Sequence, residues 1–194
     1  MLSIHRVRHD NTGLFVLCLE QLFVTEPTSS FSSPGRKDES AVTPLSVLQR
    51  FRVLIRTAQR HSQWIERQSG VTGAQLWALQ ELQDQPGLRV GELAKRMALH
   101  QSTASNMIDG LESGNLVRKE RTNTDQRVVR LYLTQAGTEL LTRAPSPARG
   151  VLTEALRLLP VEELSLLQQE LDILLRQIKE LDEGFGMQPL PFGE

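Results

Sequence analysis

The sequence predicts a mainly α-helical fold carrying one two-stranded β-hairpin, on three observations. Three short helical patterns follow one another between Thr72 and Ser113, the periodicity switches from helix to strand between Leu116 and Leu133, and long apolar-periodic segments flank both, opening at Pro44 and near Pro160. With 194 residues and 39% apolar content, the chain has room for one well-packed domain with tails.

Leu45, Leu48, Phe51, Leu54, Ile55, Ala58 and Ile65 recur at steps of three and four after Pro44, with Trp64 beside them, which predicts a helix ending near Gly70. Thr72 can cap a second helix, Gly73 to Gln85, with Leu76, Trp77, Leu79 and Leu82 apolar and Pro86-Gly87 ending it. A third runs from about Val90 to Ala98. A fourth begins near Gln101 or Ser102 and reaches Ser113 with Ala104, Met107, Ile108 and Leu111 inward, and Gly114 and Asn115 tolerate a left-handed cap. Leu-Val-Arg-Lys-Glu-Arg from Leu116 and Val-Val-Arg-Leu-Tyr-Leu from Val128 read as strands around a polar turn, with Val129, Leu131 and Leu133 on one face. Thr134 caps a helix over Gln135 to Arg143, and Pro145 and Pro147 bend the chain beyond it.

Pro160, Glu162 and Glu163 suit the start of the last helix, where Leu164, Leu167, Leu171, Leu174, Ile178 and Leu181 form a coiled-coil-like seam. A core helix of a monomer gives the same stripe. Leu166, Ile173 and Leu175 widen it beyond one seam, however, and the short helices offer little surface to cover it, which favours a second copy of the chain. The fold class is therefore a winged helix-turn-helix with a two-stranded β-hairpin wing, plus long N- and C-terminal dimerisation helices. The division is an N-terminal extension and linker over 1–43, a dimerisation helix over 44–71, the reader over 72–134, C-terminal dimerisation helices over 135–184 and a tail over 185–194.

Within the extension, Thr25 to Thr43 is rich in Ser, Pro and charge and reads as a linker. Arg6 and Arg8 precede an apolar run, Leu14 to Leu19, that Glu20 and Gln21 interrupt, with no small-residue cleavage site after it. This reads as a leader or an amphipathic helix rather than a signal peptide, and it is too short for a membrane span. A single cysteine, Cys18, excludes an intrachain disulfide and a multi-cysteine metal site, and suits the cytoplasm. Cys18 sits among Leu17, Leu19 and Phe15 without polar activators, so an inert thiol is favoured over a redox sensor.

The net charge of −1 hides a division. From Leu45 to Ser69 there are five Arg against Glu66; from Leu116 to Arg130, five basic residues against Glu120 and Asp125; from Gly150 to Gly184, three basic against eight acidic. In a winged helix-turn-helix the second helix of the pair enters the major groove and the hairpin reaches the minor groove or phosphates. Here the groove helix presents Gln101, Ser102, Thr103, Ser105 and Asn106, small enough to approach base edges, with Asn106 or Gln101 suited to adenine. Taken alone, the run also reads as ordinary helix capping. The hairpin adds Arg118, Lys119 and Arg121 on one strand, Arg127 at its tip and Arg130 on the other, and the combination points to double-stranded DNA, with a pseudo-palindromic operator for a homodimer.

The core of these segments, Val90-Gly91-Glu92-Leu93-Ala94, Ser102 to Glu112 and above all Asp125-Gln126-Arg127-Val128-Val129-Arg130-Leu131-Tyr132-Leu133-Thr134, resembles the multiple-antibiotic-resistance regulator (MarR) family over roughly Leu45 to Leu181. The resemblance implies a homodimer with intertwined first and last helices, usually a repressor relieved when a small anionic or phenolic ligand binds between frame and reader. It implies that Arg127 enters the minor groove and that Asp125 orients the wing through an ion pair. Ala98 and Asn115 stand where the family often has Gly, and the extension to Thr43 has no counterpart in the family. For the ligand, the junction of the first helix with the second and the reader offers Arg56, Arg60, His61, Trp64 and Trp77 as pocket candidates, cations for an acid and indoles for a ring; both tryptophans also read as core.

No nucleophile elbow, phosphate loop or metal-ligand spacing is present: His5, His9, His61 and His100 are scattered, and no enzyme, cofactor, metal or membrane is implied. A winged helix used as a protein-interaction module is the competing reading, as is a DNA-binding regulator without a small-molecule signal.

Overall fold

The computed structural model describes residues 42–122 and 125–191, without the side chains of residues 122 and 125–127. The readings made of the leader, the linker and Cys18 fall outside the described residues. Residues 44–194 form one compact unit.

Helix α1, Pro44–Ser69, begins at the proline whose fixed φ suits a first helical turn, and turns Ala58, His61 and Ile65 inward. Gly70, at φ +73°, lets the chain leave it. Helix α2, Gly73–Asp84, starts on a reciprocal cap: Thr72 Oγ1 accepts from Gln75 N–H at 3.2 Å and Gln75 Oε1 accepts from Thr72 N–H at 2.9 Å. Helix α3, Val90–Arg96, and helix α4, Gln101–Ser113, are joined through Ala98, which holds φ +52° without being glycine. Asn115, at φ +56°, makes the equivalent left-handed step out of α4.

Strands β1, Val117–Thr122, and β2, Asp125–Leu133, pair antiparallel from Val117↔Leu133 to Arg121↔Val129. Leu88 bridges Leu131 on the other edge, with Gly87 N–H donating to Leu131 O at 2.8 Å and Leu131 N–H to Leu88 O at 2.9 Å. Leu131 thereby sits under α2 to α4 in a core with Leu76, Leu79, Leu82, Leu93, Ile108, Leu111 and Val117. Helix α5, Gln135–Arg143, follows the predicted cap: Thr134 Oγ1 accepts from Gly137 N–H at 3.0 Å and donates to Asn115 O at 2.7 Å. Gly137 lies so close to the Leu116 carbonyl that a Cβ there would overlap its oxygen. Helices α6, Val151–Arg157, and α7, Val161–Leu175, and a 3-10 turn over Glu183–Met187 complete the unit.

Three boundaries differ from the sequence reading by two residues or more. Helix α3 stops at Arg96, because Ala98 is spent on the left-handed turn. Strand β2 begins at Asp125, three residues before Val128, and the register then slips: Thr122 pairs with Asp125 while Arg121 pairs with Val129, four steps along β2 for one along β1. The backbone of residue 127 therefore lies in β2 and not at the hairpin tip. Helix α7 ends at Leu175, so Ile178 and Leu181 are outside it. Gln177 and Ile178 close i−3 turns on Leu174 and Leu175, and the acidic Glu180, Asp182 and Glu183 disfavour a longer helix by facing the negative end of its dipole.

Two buried polar groups tie the parts together. Glu81 of α2, 4% exposed, receives Trp77 Nε1–H at 2.9 Å, Arg96 Nε–H of α3 at 2.6 Å and Arg149 Nε–H, just before α6, at 2.8 Å; Arg149 also pairs with Asp84. Burial alone would raise the Glu81 carboxyl, but the hydrogen bonds from Arg96, Trp77 and Arg149 outweigh it and hold it below the usual carboxylate value. His61 of α1 donates through Nε2–H to the Pro147 carbonyl at 3.0 Å, and burial holds its imidazole below the ordinary histidine value despite that bond.

Unfolding measurements test both the tight turns and the buried polar groups. Gly137→Ala should cost about 3 kcal/mol or more in denaturant unfolding, since backbone must move from backbone, whereas Ala98→Gly should add about 0.5–1 kcal/mol by relieving the left-handed alanine. Because His61 is neutral when folded and binds a proton when unfolded, stability should fall as pH drops below about 6.5. Glu81 acts in a lower window, its contribution present above about 4.3 and lost as pH falls through its depressed folded value. Melting curves should therefore lose their slope between pH 7.5 and 5.5 in His61→Gln and keep it in the parent; an unchanged slope refutes the assignment.

Candidate nucleic-acid interface and ligand cavity

Helix α4 turns Ala104, Ile108 and Leu111 into the core, which leaves the opposite face to solvent: Gln101, Ser102 and Asn106 are exposed and Thr103 and Ser105 half-buried. The N-cap residue is His100, and its side chain makes no capping hydrogen bond. Ser102 and Thr103 are thus second and third helical residues, not caps, and the capping explanation of this polar run loses its footing. Asp109 continues the stripe one turn on and is exposed as well.

The hairpin stands beside this face, but its cations are not equivalent. Lys119 reaches back to α4, where it pairs with Asp109 and, at 2.7 Å, with Glu112; these hydrogen bonds raise its pKa. Arg118 pairs with Glu120 and lies over the Tyr132 ring, 5.0 Å from its centroid. Arg130 donates to Gly87 O at 2.9 Å. Arg121 is exposed on β1. The side chains of Asp125 and Arg127 lie outside the described residues, and so do the roles the wing motif implies for them. Lys119 and Arg130, counted in the sequence among cations facing phosphate, serve in the structure as ties within the reader.

A cavity of about 120 Å³ lies among α1, α2 and the start of α6, with His61, Ile65, Trp77, Met97, Leu99 and Arg149 in its wall. Of the five pocket candidates, His61 and Trp77 line it. Arg56, Arg60 and Trp64 do not. At 3.6 residues per turn the inward face of α1 is Ala58, His61 and Ile65, which puts Arg56 and Arg60 on the far side and Trp64 at the flank, its ring 5.7 Å from His61. The cation of the cavity is Arg149, which sequence reasoning missed. Its signal is faint: an arginine in a Pro-Ser-Pro-Ala-Arg-Gly stretch that reads as a bend.

On α7, Leu164, Leu166, Leu167 and Leu174 are exposed and Leu171 half-buried, while Ile178 and Leu181 are exposed beyond its end; no residue of α7 is buried. Among the described residues no group of His, Cys, Asp or Glu is disposed to hold a metal, and no helix is long and apolar enough to cross a membrane.

Comparison with known proteins meets this geometry at the same segments. The pattern described as the MarR family matches residues 71–129, from the cap of α2 to the middle of β2. The HTH-type transcriptional repressor MdtR of Bacillus subtilis (strain 168) is 33% identical over 118 residues, 61% of this chain and 76% of that protein. YsmB of the same organism, an uncharacterized HTH-type transcriptional regulator, is 27% identical over 115 residues, 59% of this chain and 79% of its own. Among solved structures, a MepR-like protein complexed with pseudoligands superposes with a TM-score of 0.50 at 26% identity, covering 69% of this chain and 94% of that one. With an exposed polar α4, a hairpin bound to it through Lys119 and these matches along the same residues, the chain belongs to the MarR family of winged helix-turn-helix transcriptional regulators.

Proposed function

We propose that this regulator is a homodimeric repressor that reads a pseudo-palindromic operator through α4 and is released by a small aromatic acid or phenol held in the cavity behind the reader. The observation that carries the reading of DNA is the solvent face of α4: Gln101, Ser102 and Asn106 are exposed on a helix whose other face is locked into the core, and none of them is needed as its N-cap. Such a face fits the width of a major groove. MdtR is named a repressor, which supports the direction of the output.

Support for a second copy comes from what one copy leaves uncovered. Leu45, Leu48, Leu54 and Ile55 on α1 and Leu164, Leu166, Leu167 and Leu174 on α7 are all at least 38% exposed, so among the described residues the apolar faces of both frame helices lack a partner. The basic excess of α1 and the acidic excess toward the C-terminal end suit an interleaved pairing. Support for a ligand comes from the cavity, where Trp77 offers a ring face and Arg149 a guanidinium. The MepR-like structure holds pseudoligands.

Asn106→Ala or Gln101→Ala should relax discrimination at one base pair per half-site, about 1–3 kcal/mol, while Arg127→Ala should weaken all sequences and flatten the salt dependence. Selection from a random DNA pool by parent and variants reads both effects; an unchanged preference in the two α4 variants refutes the groove helix. Leu167→Glu with Leu171→Glu should dissociate or unfold the protein in sedimentation at micromolar concentration, since charges in an apolar seam lack partners. A folded monomer that still binds operator tightly would overturn the dimer. Titration with salicylate should quench tryptophan fluorescence and release DNA, and Trp77→Leu should weaken both; silence in the two signals would leave the DNA reading and remove the ligand.

A further inference from the structure

The C-terminal tail touches two places at once. Past α7 the chain turns back, and the Asp182 carboxylate accepts from Gly184 N–H at 2.9 Å to start the 3-10 turn over Glu183–Met187. That turn delivers Met187 to the head of α4, where its carbonyl accepts from His100 N–H at 3.0 Å. Two residues further on, Pro189 and Leu190 form part of the cavity wall together with His61 and Trp77. Leu99, in the same wall, is the chain neighbour of His100, so one tail segment spans the short distance from the cavity to the first turn of the groove helix.

The N-terminal end of a helix carries the N–H groups and the positive dipole end that phosphate oxygens take, and a groove helix brings that end to the DNA backbone. Here the N–H of the cap residue is already held by the Met187 carbonyl oxygen. A seated tail therefore competes with DNA for the same donor.

We propose that residues 187–190 act as an intramolecular brake: when seated they occupy the backbone N–H of the α4 cap residue and complete the cavity, and DNA binding requires them to lift. A ligand in the cavity gains its contacts with Pro189 and Leu190 only in the seated state, so it shifts the population toward the form that DNA does not bind. The output of this brake rests on the DNA reading proposed above, and its input on the ligand reading.

The test uses the full chain, Pro189→Gly with Leu190→Ser, and a chain ending at Gly186, with affinity measured without ligand on a DNA fragment that any of the three retains. Both altered chains should bind 3- to 10-fold tighter, and the His100 amide should lose protection from hydrogen exchange. Equal or weaker binding by the point variant, with melting and oligomeric state unchanged, overturns the brake even where the shortened chain misfolds. If none of the three retains DNA, the reading of α4 fails and takes the brake with it. With salicylate as the probe acid, release should be easier from the full chain than from the point variant; equal release from both overturns the coupling to the cavity and leaves the ligand reading in place.

Discussion

The buried carboxylate of Glu81 is the constraint on which the arrangement of reader and frame depends. An ionised carboxyl with 4% exposure is tolerable only when donors replace the water it has lost, and here they come from three separate stretches of chain: Trp77 of α2, Arg96 of α3 and Arg149 before α6. None of the three can drift without leaving part of the carboxylate unsatisfied. The same bonds fix two walls of the cavity, since Trp77 and Arg149 both face it and both answer to Glu81. A ligand acid that approaches Arg149 therefore meets a guanidinium already shared between Glu81 and Asp84, and its charge enters as a competitor with structural bonds. In the proposed ligand reading, that competition would give an acid a direct route to the α2–α3 geometry, since Arg96 of α3 bonds the same Glu81 carboxylate.

A second pair of carboxylates does the equivalent work on the other side of the reader. Asp109 and Glu112 on α4 hold Lys119 of β1, so the hairpin is aimed by the helix it stands beside. These bonds are part-exposed, and each contributes little to stability by itself, about 0–1 kcal/mol. Their effect is orientation. Asp109 also lies on the stripe of Ser102, Ser105 and Asn106, where, in the proposed reading of DNA, an acid would repel phosphate; sharing Lys119 with Glu112 lowers that penalty. The charges that make the hairpin look basic in the sequence thus divide into Lys119 and Arg130, which are bonded within the reader, and Arg121, which is exposed on β1.

Much of the fold was legible because it is written in local chemistry. Thr72 with Gln75, Thr134 with Gly137, and Asn115 each specify a helix end through atoms within three residues of one another, and the structure places the ends there. The core stripe of α4 and the alternation around Leu131 were equally plain, being properties of a single element. What the sequence concealed depends on chain brought from far away. Glu81 sits between Leu79 and Asp84 in a pattern that reads as a solvated helix face, and only the arrival of Arg149, 68 residues on, makes it internal. Arg149 itself has no periodicity to mark it. Arg56 and Arg60, chosen as pocket candidates, do not line this cavity, because composition identifies a cation but not the face it occupies, and the inward face of α1 is set by Ala58, His61 and Ile65. The seam of leucines continued on paper to Leu181, but i−3 turns on Leu174 and Leu175 close the helix, and the acidic residues after Leu175 oppose further turns.

The shortening of α7 changes what the second copy of the proposed dimer would have to cover. Seven large apolar side chains on α1 and seven on α7 are exposed in the single chain, among them Val161 at 77% and Leu45 at 70%. Each gains on the order of 1 kcal/mol when its remaining apolar surface leaves water. Association itself costs about 4–15 kcal/mol, so a seam confined to one short helix would be marginal, and the surplus has to come from α1 and α7 together. That requirement favours interleaving over a simple side-by-side contact, because only an interleaved pair brings the arginine-rich α1 of one copy against the acidic C-terminal segment of the other. It also places the partner next to the tail that leaves α7 for the head of α4. In the proposed dimer, the surface that holds two copies together and the segment that bonds the cap residue of α4 are therefore consecutive stretches of one chain, and a shift in the first is felt by the second without any longer relay.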